Sequence, residues 1–202
     1  SENPIYSTIY SENIFFGSIS FILKFLFYNF ADGIITNSKG SANSLRIFVY
    51  NKKKITYIYN PYLKKINKKK HKKSDYIINV ARLRKQKDHE SLLYDLKNLS
   101  KKLGISNKVI FKGWIKNPTL YLKKSKIFVL SSVYEGLGNV LIDAINYDLP
   151  CVSTNCYSGP GEILLNGKGG YLTKVKSPKM LADKIHYSIK NYSTSMKKNQ
   201  VA

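Results

Sequence analysis

Arginine is scarce in this chain. Only Arg46, Arg82 and Arg84 stand among 34 basic residues, against 12 acidic ones, so lysine carries almost all of a formal charge of +22. Surfaces that read bases or clamp phosphates in a bidentate way favour the guanidinium fork. Its rarity argues against a specific nucleic-acid partner, and the abundance of Lys, Asn, Ile and Tyr looks like genome-wide compositional bias with most of the charge solvated. Cysteine is scarcer still. Cys151 and Cys156 make no metal spacing with His71, His89 and His186, which points to no metal site, no structural disulfide and a reducing, cytoplasmic setting. The chain also lacks an Asp-x-Asp triad, an obvious general base, and a charged-then-apolar signal peptide after Ser1. Its aromatic and aliphatic stretch from Ile14 to Phe30 is interrupted by Ser18, Ser20, Lys24, Tyr28 and Asn29 and falls at the lower edge for spanning a bilayer. It reads as a buried or interfacial helix. Together with the lysine-rich surface, it is compatible with peripheral contact at the inner face of an anionic membrane, where each Lys or Arg gains roughly 1 kcal/mol.

With 202 residues and 43% hydrophobic content, the chain can form one domain with a proper core, or one domain and a piece of another. The stretch that organises it runs from Lys126 to Ala144. Ile127 to Leu130 is a short, β-rich apolar run of the kind buried on both faces of a parallel sheet. Ser131-Ser132 ends it, Glu135-Gly136-Leu137-Gly138 makes a turn, and Asn139 to Ala144 is good helix material. An open α/β sheet binds its ligands at such a junction. Gly136 and Gly138 let a ligand approach the backbone, and the N–H groups of Asn139 and Val140 at the helix start suit a phosphate. Glu135 would repel phosphate, and suits the hydroxyls of a sugar. Asp143 follows eight residues after Glu135, about two helical turns, which allows both acids to share one helix face. The plainer alternative is a first-turn acid favoured by the helix dipole and a solvated surface residue.

Strands and helices alternate around this stretch. Ile34 to Thr36, Ile55 to Tyr59, Asp75 to Val80, Val109 to Phe111 and Pro150 to Thr154 read as strands. Helical segments are expected at 40–45, at 88–103, from Pro118 to Leu122, over 163–165 and over 180–189, with a turn at Gly167, Gly169 and Gly170 leading into Tyr171-Leu172. Lys64 to Lys73 is a basic loop. The order predicts a Rossmann-like parallel sheet with helices on both faces. Arg82, followed five residues later by Lys87, puts two cations after a strand end, a match for a diphosphate.

Glu135-Gly-Leu-Gly-Asn-Val-Leu-Ile-Asp143-Ala resembles the Glu-x7-Glu motif of the family 4 glycosyltransferases, retaining enzymes of the GT-B fold, with Asp143 one methylene shorter than the usual acid. Arg82 and Lys87 resemble that family's Arg-x4-Lys diphosphate segment, with Ala81 where Gly is usual, and Ser158-Gly159-Pro160-Gly161-Glu162 resembles a segment near the donor. The resemblance covers Ala31 to Ile189. It implies that residues 1–60 close an N-terminal acceptor domain and that residues 61–202 form a nucleotide-sugar donor domain. It further implies catalytic roles for Arg82, Lys87 and Glu135, and donor-binding roles for Gly136, Leu137, Gly138, Asn139, Val140, Asp143, Gly159 and Glu162. Arg82 and Lys87 would stabilise charge on the leaving diphosphate, so neither metal nor other cofactor is expected.

The expected substrates are a nucleoside-diphosphate sugar, UDP-linked by preference, and a glycan or lipid-linked acceptor in surface polysaccharide or glycolipid assembly. With the acceptor half reduced to its end, the 202-residue chain is expected to bind donor without turnover. The rival readings are a non-catalytic nucleotide-sugar or nucleic-acid-binding module and a GT-B epimerase, since a fold does not fix a reaction.

Overall fold

Two parallel sheets carry the architecture in a computed structural model that describes residues 14–61, 73–80 and 97–199, with side chains described for 18–61, 73–80 and 97–198. The smaller sheet pairs β1 (Ile34–Thr36) with β2 (Ile55–Tyr57), Ile34 lying opposite Ile55. Helix α1 (Ile14–Phe30) leads into β1, and α2 (Lys39–Leu45) makes the crossover to β2. The start of α2 follows from the sequence. The Ser38 hydroxyl accepts the Ser41 N–H at 3.1 Å, as a capping serine does. Phe48, Ala42, Leu45, Val49 and Ile55 form the core of this part, and Phe25, Tyr28 and Ile34 close over it. Asn29 fastens α1 there, donating to the Phe48 carbonyl at 2.9 Å and accepting the Tyr50 N–H at 2.8 Å. The other side of α1 leaves Ile22, Phe27 and Phe30 exposed. Among the described residues no helix is long and apolar enough to cross a membrane.

The larger sheet has the order β3 (Ile77–Ile78), β4 (Ile127–Leu130), β5 (Cys151–Thr154), β6 (Tyr171–Thr173), all parallel. Every residue of β4 and β5 is buried. Side chains alternate across a strand, so the two faces need separate cover. Phe128, Leu130 and Cys151 face a cluster with Leu141 and Ala144 of α4 (Asn139–Asn146), together with Leu164 and Leu122, the latter on α3 (Thr119–Lys124). Ile127, Val129, Val152 and Tyr171 face Leu181 and Ile185 of α6 (Pro178–Lys190), which follows the short α5 (Pro160–Ile163). The sheet with helices on both faces that the alternation predicts is therefore present.

Several local expectations change. The helix expected over 163–165 lies earlier, as α5 ends at Ile163 and a 3-10 turn spans Leu165–Gly167, and the strand expected from Ile55 to Tyr59 ends at Tyr57. The strand expected over 75–80 is confined to Ile77–Ile78. Val109 has an extended backbone, but 109–111 forms no strand. Ile110 stays exposed. A helix not expected, α7 (Tyr192–Asn199), ends the described chain. It docks through buried Ser195, whose hydroxyl lies 3.1 Å from that of Tyr171, and through Lys198, placed 5.4 Å from the Tyr171 ring centroid.

Candidate functional site

The junction between β4 and α4 is a buried glycine loop. Gly136, Leu137 and Gly138 are buried, and Gly138 takes φ 87° and ψ 52°, the left-handed conformation that lets the chain turn from strand into helix without a Cβ penalty. Among the described residues no side chain caps the helix that follows. The Asn139 and Val140 amides therefore begin α4 at the carboxyl end of the sheet, where a helix start favours an anion.

Glu135 is half-buried, and the Ser132 hydroxyl donates to its Oε1 at 2.6 Å. Its backbone is held as well, because Ser158 donates to the Glu135 carbonyl at 2.6 Å. These two serines orient an acid that a flexible loop would leave free to rotate. The expectation that Glu135 and Asp143 share a helix face is corrected. Helix α4 begins only at Asn139, after the left-handed Gly138, so Glu135 precedes the helix and helical periodicity does not relate the two acids. Asp143 lies on α4, half-buried.

Gly159 supports the loop from beneath. A Cβ there would come within 2.2 Å of the Leu137 carbonyl oxygen, and the residue itself sits at φ 90°. The Glu162 carboxylate lies one turn further on, in the first turn of α5. It accepts the Lys39 N–H at 2.9 Å on Oε2, the Gly40 N–H at 2.9 Å on Oε1 and the Tyr59 hydroxyl at 3.0 Å on Oε2. Partial burial and the Glu162 carboxylate push the Tyr59 phenol up to about 12. Asn60 donates to the Asn139 side chain at 3.2 Å, so the segment after β2 also touches the start of α4.

The structure thus brings Glu135, the glycine loop, Asn139, Val140, Gly159 and Glu162 together through successive contacts. Arg82 and Lys87 lie outside the described residues. Ser132, Ser41 and Tyr59 were not among the expected site residues, and Ser158 entered only as the first residue of the segment that resembles one near the donor. Ser158 had a signal in its place just before Gly159-Pro160, and Gly40 offered another, since a glycine inside a helix is costly unless something packs against it.

Neither cysteine offers a nucleophile. Both thiols are free and buried. Burial raises Cys151, and burial followed by the Glu135 carboxylate pushes Cys156 up to about 12. Because the folded values lie above the ordinary thiol value of 9.0, the neutral thiols stabilise the fold fully below pH 9.0, and the Cys156 contribution is lost as pH rises towards about 12. A thiol-specific chromogenic disulfide at pH 8 should accordingly find neither cysteine until denaturant is added, and rapid labelling of Cys156 in the native protein would contradict its placement.

A parallel sheet covered on both faces, with a glycine loop feeding a helix at its carboxyl edge, defines the α/β class to which the GT-B transferases belong. The structure of Anabaena HepE in complex with UDP-glucose superimposes with a TM-score of 0.79 at 16% identity, over 98% of this chain and 64% of that one. Residues 91–201 match the family described as Glycosyl transferases group 1, and the chain belongs to that family. It is 32% identical to the N-acetylgalactosamine-N,N'-diacetylbacillosaminyl-diphospho-undecaprenol 4-alpha-N-acetylgalactosaminyltransferase of Campylobacter jejuni, across 84% of this chain and 54% of the relative. It is also 32% identical to an uncharacterized glycosyltransferase of Methanocaldococcus jannaschii, across 85% of this chain and 54% of the relative. The chain thus spans about half the length of the curated relatives it matches.

Proposed function

We propose that this chain is the nucleotide-sugar-binding part of a retaining, family 4-like glycosyltransferase. It moves a hexosyl or N-acetylhexosaminyl unit from a UDP-linked sugar to a glycan or lipid-linked acceptor in surface polysaccharide or glycolipid assembly, at the cytoplasmic side of a membrane. The observation that carries the reading is the Glu135 carboxylate, oriented by Ser132 beside an uncapped helix start at the carboxyl edge of the sheet. The relatives support it. The Campylobacter protein is an N-acetylgalactosaminyltransferase acting on a diphospho-undecaprenol-linked sugar, and HepE was solved with UDP-glucose.

In this assignment Glu135 accepts hydrogen bonds from sugar hydroxyls, the Asn139 and Val140 amides face the diphosphate, and Asp143 holds the ribose. Arg82 and Lys87 neutralise the charge that accumulates on the leaving diphosphate as the sugar bond breaks. Preorganised donors of this kind are each worth on the order of 2 to 4 kcal/mol in the transition state. Residues 1–60 contribute the end of the acceptor half and residues 61–202 the donor half.

Calorimetry with two ligands tests the roles. Glu135→Gln should weaken UDP-glucose more than UDP, because the lost acceptor faces the sugar. Asp143→Ala should weaken both equally, because the ribose is common to them. A loss on Glu135→Gln that is as large for UDP as for UDP-glucose would remove the sugar from the Glu135 assignment. Salt-sensitive binding of random RNA, with no affinity for either nucleotide, would replace this function with that of a basic binding module.

A further inference from the structure

The Glu162 carboxylate is already full. Two backbone amides and a phenol donate to it at 2.9, 2.9 and 3.0 Å, and the Gly159 N–H approaches Oε1 at 3.4 Å. A carboxylate offers about four lone-pair sites, so a sugar hydroxyl reaching Glu162 would have to displace a bond the protein has made. The two amides and the phenol lie more than a hundred residues away in sequence, at the start of α2 and in the segment after β2, so the group joins the two sheets.

The contacts beside it lead back to the sugar-facing loop. Gly40 approaches so closely that a Cβ would meet the Ser158 Cβ at 2.3 Å and its Cα at 2.8 Å. Ser158 donates to the Glu135 carbonyl at 2.6 Å, and Ser41, the residue after Gly40, donates to the Gly136 carbonyl at 3.5 Å. Two adjacent carbonyls of the loop are therefore held by two serines, each placed by an element that Glu162 ties down: Ser158 four residues before it, and Ser41 on the helix turn whose amides it accepts.

We propose that Glu162 is a positioning residue, a clasp that fastens the start of α2 and Tyr59 against the Glu135–Gly138 loop and thereby sets the geometry in which Glu135 meets the donor sugar. The sugar-facing part of this statement rests on the function proposed above, whereas the clasp itself rests on the contacts alone. Glu162→Gln keeps the size of the side chain but replaces one acceptor oxygen by an N–H₂ group, which cannot accept the amides at both ends. Tyr59→Phe removes one donor and leaves both amides paired.

The test uses the full chain, with hydrogen exchange resolved at single amides and calorimetry with UDP and UDP-glucose. Loss of a charge-assisted bond to a partly buried acceptor should speed exchange at Lys39, Gly40, Gly136 and Gly138 by about tenfold in Glu162→Gln, with a smaller change of the same sign in Tyr59→Phe. The amides of β5 should keep their exchange rates in both variants. UDP-glucose should lose several-fold more affinity than UDP in Glu162→Gln, since the loop that carries Glu135 is displaced. Unchanged exchange at Lys39 and Gly40 would overturn the clasp. Equal acceleration in β5 would also overturn it, because general loosening is what a purely structural role predicts. Faster exchange at these amides with an unchanged preference for UDP-glucose would overturn the positioning role. Wild-type protein that binds neither nucleotide would overturn the donor reading instead, and faster exchange of Gly136 and Gly138 in Glu162→Gln would then support the clasp by itself.

Discussion

Gly159→Ala should be the most destabilising glycine substitution near the loop, costing on the order of 2 to 6 kcal/mol as the sum of two separate penalties. The first is conformational. Gly159 sits at φ 90° and ψ −78°, outside the regions open to a residue with a Cβ. The second is steric, and the obstacle is backbone, which cannot rotate away: the new Cβ would lie 2.2 Å from the Leu137 carbonyl oxygen and 2.6 Å from its carbonyl carbon. Relief requires that α5 and the Glu135–Gly138 loop move apart, which breaks the Ser158 bond to the Glu135 carbonyl. Gly113→Ala is the control. That residue also has positive φ, 65°, but no atom lies within 4 Å of its added Cβ, so only the left-handed penalty of roughly 1 to 2 kcal/mol applies. Urea unfolding of the two variants separates the terms. Equal losses would mean that the contact between Gly159 and Leu137 is not as close as the structure has it.

Sequence alone carried the centre of the fold because local pattern and burial agree there. Ile127 to Leu130 reads as a doubly covered strand and is one, and Pro150 to Thr154 reads as a strand and is buried throughout as β5 from Cys151. Agreement fails where structure depends on distant partners. Helix α7 is rich in Ser, Thr and Lys and lacks an apolar face that would announce it; it is held by Tyr171 and the carbonyl of Gly167, 24 and 31 residues from their partners in sequence. The stretch 109–111 has strand-like residues and an exposed Ile110, and it forms no strand.

The candidate site divides in the same way. The glycine loop and its acid were legible as a strand-to-helix junction, since turn chemistry is local. The eight-residue spacing of Glu135 and Asp143 was legible too, but its helical interpretation was not sound, because a left-handed glycine stands between the acids. Glu162 was legible as a residue near the loop, whereas its partners Lys39, Gly40 and Tyr59 meet it only through tertiary packing.

Arg82→Ala should produce the largest functional loss of any single change to the proposed site. An arginine opposite a diphosphate makes short, charge-assisted bonds in a fork geometry that lysine cannot reproduce. Removing one preorganised donor of this kind costs on the order of 2 to 4 kcal/mol, or roughly 30- to 1,000-fold. UDP affinity should fall towards the lower figure, and any transfer rate towards the upper, because charge on the leaving group is greatest in the transition state. Lys68→Ala, a change within the same basic stretch of sequence as Lys64 to Lys73, is the comparison. If the chain's charge of +22 acted only as a diffuse field, both substitutions would weaken UDP slightly and equally, and 0.5 M salt would erase the difference from wild type, since the screening length is then roughly 4 Å. A specific site predicts the opposite pattern. Lys68→Ala leaves UDP binding within about twofold of wild type, Arg82→Ala does not, and the gap between them persists in salt because direct hydrogen bonds to a diphosphate are shorter than the screening length. Arg82→Lys sharpens the test: it restores the charge without the fork, so recovery to wild-type affinity would mean that charge alone is needed, and continued weakness would assign the diphosphate to the guanidinium itself.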